Sequence, residues 1–116
     1  MITRVVHVKT KPGKAKELCH KLHKDVLGIL MSHPGFIDEI VLIADHDADQ
    51  VLAMSFWKTK EDAEDFQRRE FKRINEMIQH LSHTTAEIQI YGVETSTVHQ
   101  VAEGKAMTPA ATKPPA

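Results

Sequence analysis

The side chains with the most distinctive chemistry in this 116-residue sequence are eight His, one Cys and one Trp. His7 alternates with Val5 in a β-branched stretch. An imidazole titrates near neutral pH, so His7 is a candidate general base; the competing reading is a strand His bonded to backbone or water. Trp57 closes an apolar stretch. It either walls a cavity and stacks on an aromatic ligand, or fills a core or a subunit interface. Asn75 and Arg69 lie on a helical stretch and either point polar groups into a cavity or face solvent. His20-x-x-His23 and His80-x-x-His83 have the spacing that brings two rings to one side of a helix. Zinc needs a third or fourth ligand, Lys21 and Lys24 adjoin the first pair, and the second straddles a helix end, so no metal site is expected. Cys19 falls on an apolar helical stripe and reads as a small buried side chain. Asp45, Asp47 and Asp49 alternate as in a calcium loop but lack its Gly and its distant Glu, which leaves a solvated turn.

The elements that must position these residues follow from periodicity. Residues 2 to 9 are β-branched and alternate with polar residues, a strand that Lys11-Pro12-Gly13 ends. From Lys14 to Met31 the apolar residues Ala15, Leu18, Cys19, Leu22, Val26, Ile29 and Leu30 form one helical stripe, stopped by His33-Pro34-Gly35. Residues 36 to 44 and 51 to 58 read as a hairpin across the polar turn 45 to 50. Thr59 and Asp62 resemble a capping box. Ala63 and Phe66 then continue one helical face, while Phe71, Ile74, Met77, Ile78 and Leu81 form another. The five-residue step from Phe66 to Phe71 slips the helical phase, which predicts two helices broken near Arg68 to Glu70. A last strand is expected from Ala86 to about Val101, bent near Gly92. The domain thus spans residues 1–101, and 102–116 form an Ala, Pro, Thr and Lys tail unsuited to packing.

Composition excludes several classes of function. Lys and Arg number 15 against 16 Asp and Glu, so no overall positive field recruits nucleic acid or an anionic membrane. Six Lys between Lys9 and Lys24 are diluted by Glu17 and Asp25 and carry no interleaved aromatic residues for base stacking. The apolar runs are too short to cross a bilayer and the N-terminus lacks the pattern of a secretion signal, so a cytoplasmic protein is expected. No Gly-rich phosphate loop, dinucleotide fingerprint or nucleophile elbow occurs.

The order βαββααβ is the ferredoxin-like split β-α-β arrangement, an α+β fold with a four-stranded antiparallel sheet and helices on one face. Phe36, Ile40 and Leu42 are expected on one face of the hairpin and Ile37, Val41 and Ile43 on the other; Leu52, Met54 and Phe56 oppose Val51, Ala53 and Trp57. One set faces away from the helices. Leaving it in water forfeits several kcal/mol at about 25 cal/mol per Å², so a homodimer that pairs two such faces is expected.

On this order, together with Lys11-Pro12-Gly13, Pro34-Gly35-Phe36 and the segment Ser55 to Ala63 with Phe66 and Phe71, the chain resembles the antibiotic biosynthesis monooxygenase superfamily of dimeric α+β barrels over residues 2 to 97. The resemblance implies a cavity between sheet and helices in each subunit, with Trp57, Phe66 and Phe71 against a small aromatic or apolar substrate. It implies a small monooxygenase, using no cofactor, for a quinol or polyketide-like aromatic, with His7 as base and Asn75 as a second polar group. Where haem-cleaving members carry Asn, Trp and His, this chain has Val6 or His7, Phe66 and Asn75. Where many antibiotic-type members place Glu and His around the strand Trp, it has Ser55 and Phe66. The alternative is therefore a dimeric binding or stress-response domain without catalysis, for a small apolar ligand or haem.

Overall fold

The computed structural model describes residues 1–98; the tail at 102–116 and the last residues of the expected final strand, 99–101, lie outside the described residues. Strands β1 (Ile2–Lys9), β2 (Phe36–Ile43), β3 (Gln50–Trp57) and β4 (Glu87–Gly92) form one antiparallel sheet in the order β2-β3-β1-β4. The first helical layer is α1 (Ala15–Lys21), a π-helical turn (Leu22–Val26) and α2 (Leu27–Met31) in unbroken succession. The second is α3 (Lys60–Ile78), closed by a 3₁₀ turn (Gln79–Leu81). This is the ferredoxin-like α+β fold that the sequence predicts. Among the described residues, no helix is long and apolar enough to cross a membrane.

Strand alternation assigns every residue to a face. Val8, Val51 and Trp57 pack into one core with Leu18, Leu22, Val26, Leu30, Phe66 and Ile78 of the helices. On the other face, Ile40, Leu42 and Tyr91 are exposed. The hairpin differs from expectation at its start. Phe36 pairs with Trp57 and Asp38 with Phe56, so Ile37 is an extra residue, a β-bulge. The bulge reverses the alternation, and Phe36 shares the helix-facing side with Val41 and Ile43 rather than with Ile40 and Leu42.

The expected break near Arg68 to Glu70 is absent: α3 runs through it without interruption. The apparent slip has a local cause. Four residues after Phe66 the buried stripe is filled by Glu70, whose side chain is only 14% exposed beside His33 and Arg73. A carboxylate in an apolar position hides the periodicity from a reading based on hydrophobic residues. The expected Thr59 cap is present, with the Asp62 N–H donating to Thr59 Oγ1 at 3.1 Å. Strand β4 covers only Glu87–Gly92, shorter than the expected Ala86 to Val101; it ends where the bend is expected, and residues 93–98 add no strand.

Gly35 couples hairpin and helix. Its φ is +83°, and a Cβ there would lie 2.1 Å from Asp62 Oδ2 in the first turn of α3. Gly13 has a similar φ of +76° but open space around it. A left-handed non-Gly residue costs about 1–2 kcal/mol. Gly13→Ala is expected to lose about that much in urea denaturation, and Gly35→Ala measurably more, since Asp62 must also move.

Candidate active site

Beneath the helices the sheet carries a transverse row of three polar residues. Arg4 on β1 pairs with Ser55 on β3, which pairs with Glu39 on β2. All three line a partly open chamber of about 50 Å³. The rest of its sheet wall is apolar, from Val6, Val8 and Ala53. Its roof comes from Leu22 and Val26 in the π-helical turn and Leu30 in α2, and from Phe66, Phe71 and Asn75 in α3. The π turn places Leu22 and Val26 there: the Leu27 N–H reaches back five residues to the Leu22 carbonyl, widening the helix by one residue. Such insertions recur at functional sites.

Each polar group is held differently. Arg4 is 7% exposed. Its Nε donates to Gln67 Oε1 at 3.2 Å, and its guanidinium carbon lies 5.3 Å from the centre of the Phe66 ring. Both contacts are uncharged, and burial lowers its pKa to about 10. Ser55 Oγ accepts from Trp57 Nε1 at 2.9 Å and donates to the Arg4 carbonyl at 3.5 Å. Burial, and then the neighbouring Asp38 charge, push the Glu39 carboxyl up to about 7. A carboxyl poised at neutral pH and a buried cation on the wall of the same chamber can between them exchange a proton and stabilise an anion.

Phe66, Phe71 and Asn75 therefore meet at the chamber. Trp57 does not line it but stands behind it, fully buried, with ring centres 5.0 Å from Phe66 and 5.6 Å from Phe36. His7 pairs with Leu52 and Glu87 on the face away from the helices. It borders a separate, polar pocket with Lys9, Gln50 and Thr85. Arg69 is exposed and lies 3.7 Å from Asp65. His20, His23, His80 and His83 are exposed, and no cluster of three His, Cys, Asp or Glu placed to hold a metal occurs among the described residues. In the Asp turn, the Asp49 carboxylate accepts from the Gly13 N–H at 3.1 Å, and Asp47 pairs with Lys9, ties between loops. Arg4, Glu39 and Gln67 did not stand out in the sequence. For Arg4 a signal existed: it falls in phase with Val6 and Val8 on a strand whose neighbours are apolar. For Glu39 none did, because its facing depends on the bulge at Ile37.

A four-stranded antiparallel sheet with helices on one face and a chamber between the layers defines a ferredoxin-like domain. Residues 1–77 match the family described as antibiotic biosynthesis monooxygenase, and the chain belongs to that family. Solved structures share the fold. A Streptomyces coelicolor monooxygenase in complex with nanaomycin D matches with a TM-score of 0.70 at 15% identity, over 82% of this chain and 88% of that one. SnoaB, a cofactor-independent oxygenase from Streptomyces nogalater, matches at 0.68 and 16%, over 82% and 94%. A conserved protein from Methanosarcina mazei matches at 0.64 and 25%, over 78% and 91%. No protein of curated function matches the chain by sequence.

The raised Glu39 pKa has a consequence for stability. In the unfolded chain the group titrates near 4.5, in the folded state near 7. The folded protein holds this proton more tightly, so its contribution to stability is intact below about 4.5 and is lost as pH rises through about 7. Glu39→Gln is expected to be more stable than the wild type at pH 8, by on the order of 1 kcal/mol after allowance for solvent screening, and equal to it at pH 4. Urea titrations at the two pH values check this.

Proposed function

We propose that the protein is a cofactor-independent monooxygenase that inserts oxygen into an electron-rich, hydroxylated aromatic of quinol or polyketide-like type. Family membership supports the reaction class. Arg4 is the observation that carries the reading: a buried cation whose partners among the described residues are a neutral amide and a ring, at the wall of a largely apolar chamber. Such a group favours an anion placed beside it, and dioxygen chemistry without a cofactor runs through anions. For a substrate with an acidic CH2 between aromatic rings, a base removes one proton and leaves a carbanion. The carbanion passes one electron to O2, giving a substrate radical and superoxide. These combine in a C–O bond, and the returned proton completes a hydroperoxide. Loss of the remaining C–H proton with departure of hydroxide breaks the O–O bond, leaving C=O and water. In sum, CH2 and O2 become C=O and H2O. Arg4 would stabilise the superoxide, and Phe66, Phe71 and Asn75 would wall the chamber in which it forms.

The working form is proposed to be a homodimer. The outer sheet face presents Ile40 and Leu42 at 41% and 45% exposure beside Leu52 and Met54, apolar surface that a second copy of the same face would cover. His7 lies on that face, so a base role for it would act at the subunit interface, not in the chamber.

Anthrone or naphthohydroquinone is expected to drive oxygen uptake above the spontaneous rate, and Arg4→Met, which keeps the packing volume, to lower kcat/KM by about 100-fold or more. Binding of these compounds without uptake would leave a binding domain instead. In sedimentation velocity the wild type is expected as a dimer and Ile40→Lys/Leu42→Lys as a folded monomer; a monomeric wild type at micromolar concentration would remove the dimer reading.

A further inference from the structure

The chamber of about 50 Å³ is far smaller than the roughly 300–1,000 Å³ that ligand pockets enclose. It has room for one or two small molecules and not for an aromatic ring system. A second space of about 640 Å³ opens beside it, a groove between the first helical layer and edge strand β2. Its walls are Cys19, His23 and Leu27 on the helical side and Phe36 and Val41 on the strand. Glu39 lines both spaces. It stands on the partition, with the groove in front of it and the Arg4–Ser55 row behind it.

We propose that the two spaces divide the reactants: the aromatic substrate lies in the α1–β2 groove with its acidic proton against Glu39, which acts as the base, while dioxygen occupies the small chamber behind. This rests on the monooxygenase reading. Dioxygen is apolar and small, and the size and largely apolar lining of the chamber suit it. Arg4 faces the chamber, where superoxide forms after electron transfer. Proton and electron thus leave the substrate toward the same wall, the proton to the Glu39 carboxylate and the electron to O2. Glu39 then returns its proton to the peroxide. The bulge at Ile37 turns Glu39, rather than Asp38, inward.

The charged and titratable groups around Glu39 are Asp38 beside it on β2, Arg4 along the row on β1, and Cys19 and His23 across the groove; α3 faces it with the neutral Asn75. Burial and Asp38 both hold its proton, so the base form is expected to fill as pH passes about 7.

The test uses 1,4-dihydroxynaphthalene binding by anaerobic calorimetry, with anthrone-driven oxygen uptake as the second readout. Leu27→Phe and His23→Phe narrow the groove, the second from an exposed position that does not threaten folding. Both are expected to weaken anaerobic binding about tenfold. Ala53→Val narrows the chamber alone and is expected to leave anaerobic binding unchanged while raising KM for oxygen roughly tenfold. Glu39→Gln is expected to bind as the wild type does, to lose about 100-fold or more in kcat, and to lose the rise in rate across pH 7. If Ala53→Val abolishes anaerobic binding and the groove variants do not, the substrate sits in the chamber and the division of spaces is wrong, with the monooxygenase reading intact. If Glu39→Gln keeps its rate and pH profile, Glu39 is not the base. Groove-dependent binding with no oxygen uptake by the wild type overturns the reaction and leaves the groove as a ligand site.

Discussion

Strand parity governs this molecule. A residue on a strand cannot choose its face once its neighbours are placed, and a one-residue change of phase exchanges the two sides. With Val8, Val51 and Trp57 fixed in the core, Arg4 and Ser55 are committed to the enclosed side and His7 to the open one. On β2 a plain alternation from Phe36 would turn Asp38 and Ile40 inward and Glu39 outward. The extra residue at Ile37 keeps Phe36 against Trp57 and still turns Glu39, Val41 and Ile43 to the helices. One inserted residue therefore sets both the composition of the chamber wall and the apolar character of the outer face.

The helices solve the complementary problem. They cover a sheet face with a polar row across its middle without filling the space above it. The π turn at Leu22–Val26 and the large Phe66 and Phe71 side chains form a roof that spans the row. Trp57 props the arrangement from the side, packing on Phe36 and Phe66 while its N–H fixes the Ser55 hydroxyl. Gly35 lets the N-terminus of α3 approach the start of β2 closely enough for this aromatic group to close.

Much of the architecture was legible in the sequence because it rests on periodicity. The Ile2–Lys9 alternation, the stripe from Ala15 to Leu30 and the turn after Ile43 each have one reading. Where the reading failed, a charged residue occupied an apolar position. Glu70 on the buried stripe of α3 imitated a break. The bulge was invisible for the opposite reason: Phe36 and Ile37 are both apolar, so no alternation marked the change of phase. Site residues divided along the same line. Phe66, Phe71 and Asn75 follow from helix phase and the family pattern, whereas Glu39 requires knowing the register of β2. His7 was attractive for its chemistry, and chemistry carries no information about facing.

The polar row also bears on how stability and activity are related here. Burying Arg4 against neutral partners and Glu39 with a raised pKa costs folding free energy, and apolar residues of similar volume would pack the same space at lower cost. Nothing in the sheet requires polar groups there: the next row, Val41, Ala53, Val6 and Ile88, spans the same four strands with apolar side chains alone. A structural salt bridge would have joined the two charges directly across the layer. Instead Ser55 stands between them in the row. Separated opposite charges facing a shared space could act on something placed there, the cation holding an anion and the carboxylate taking a proton. That separation distinguishes a site from a buried ion pair, and it gives the chamber a direction, from a proton acceptor at its edge to a fixed positive charge along its wall.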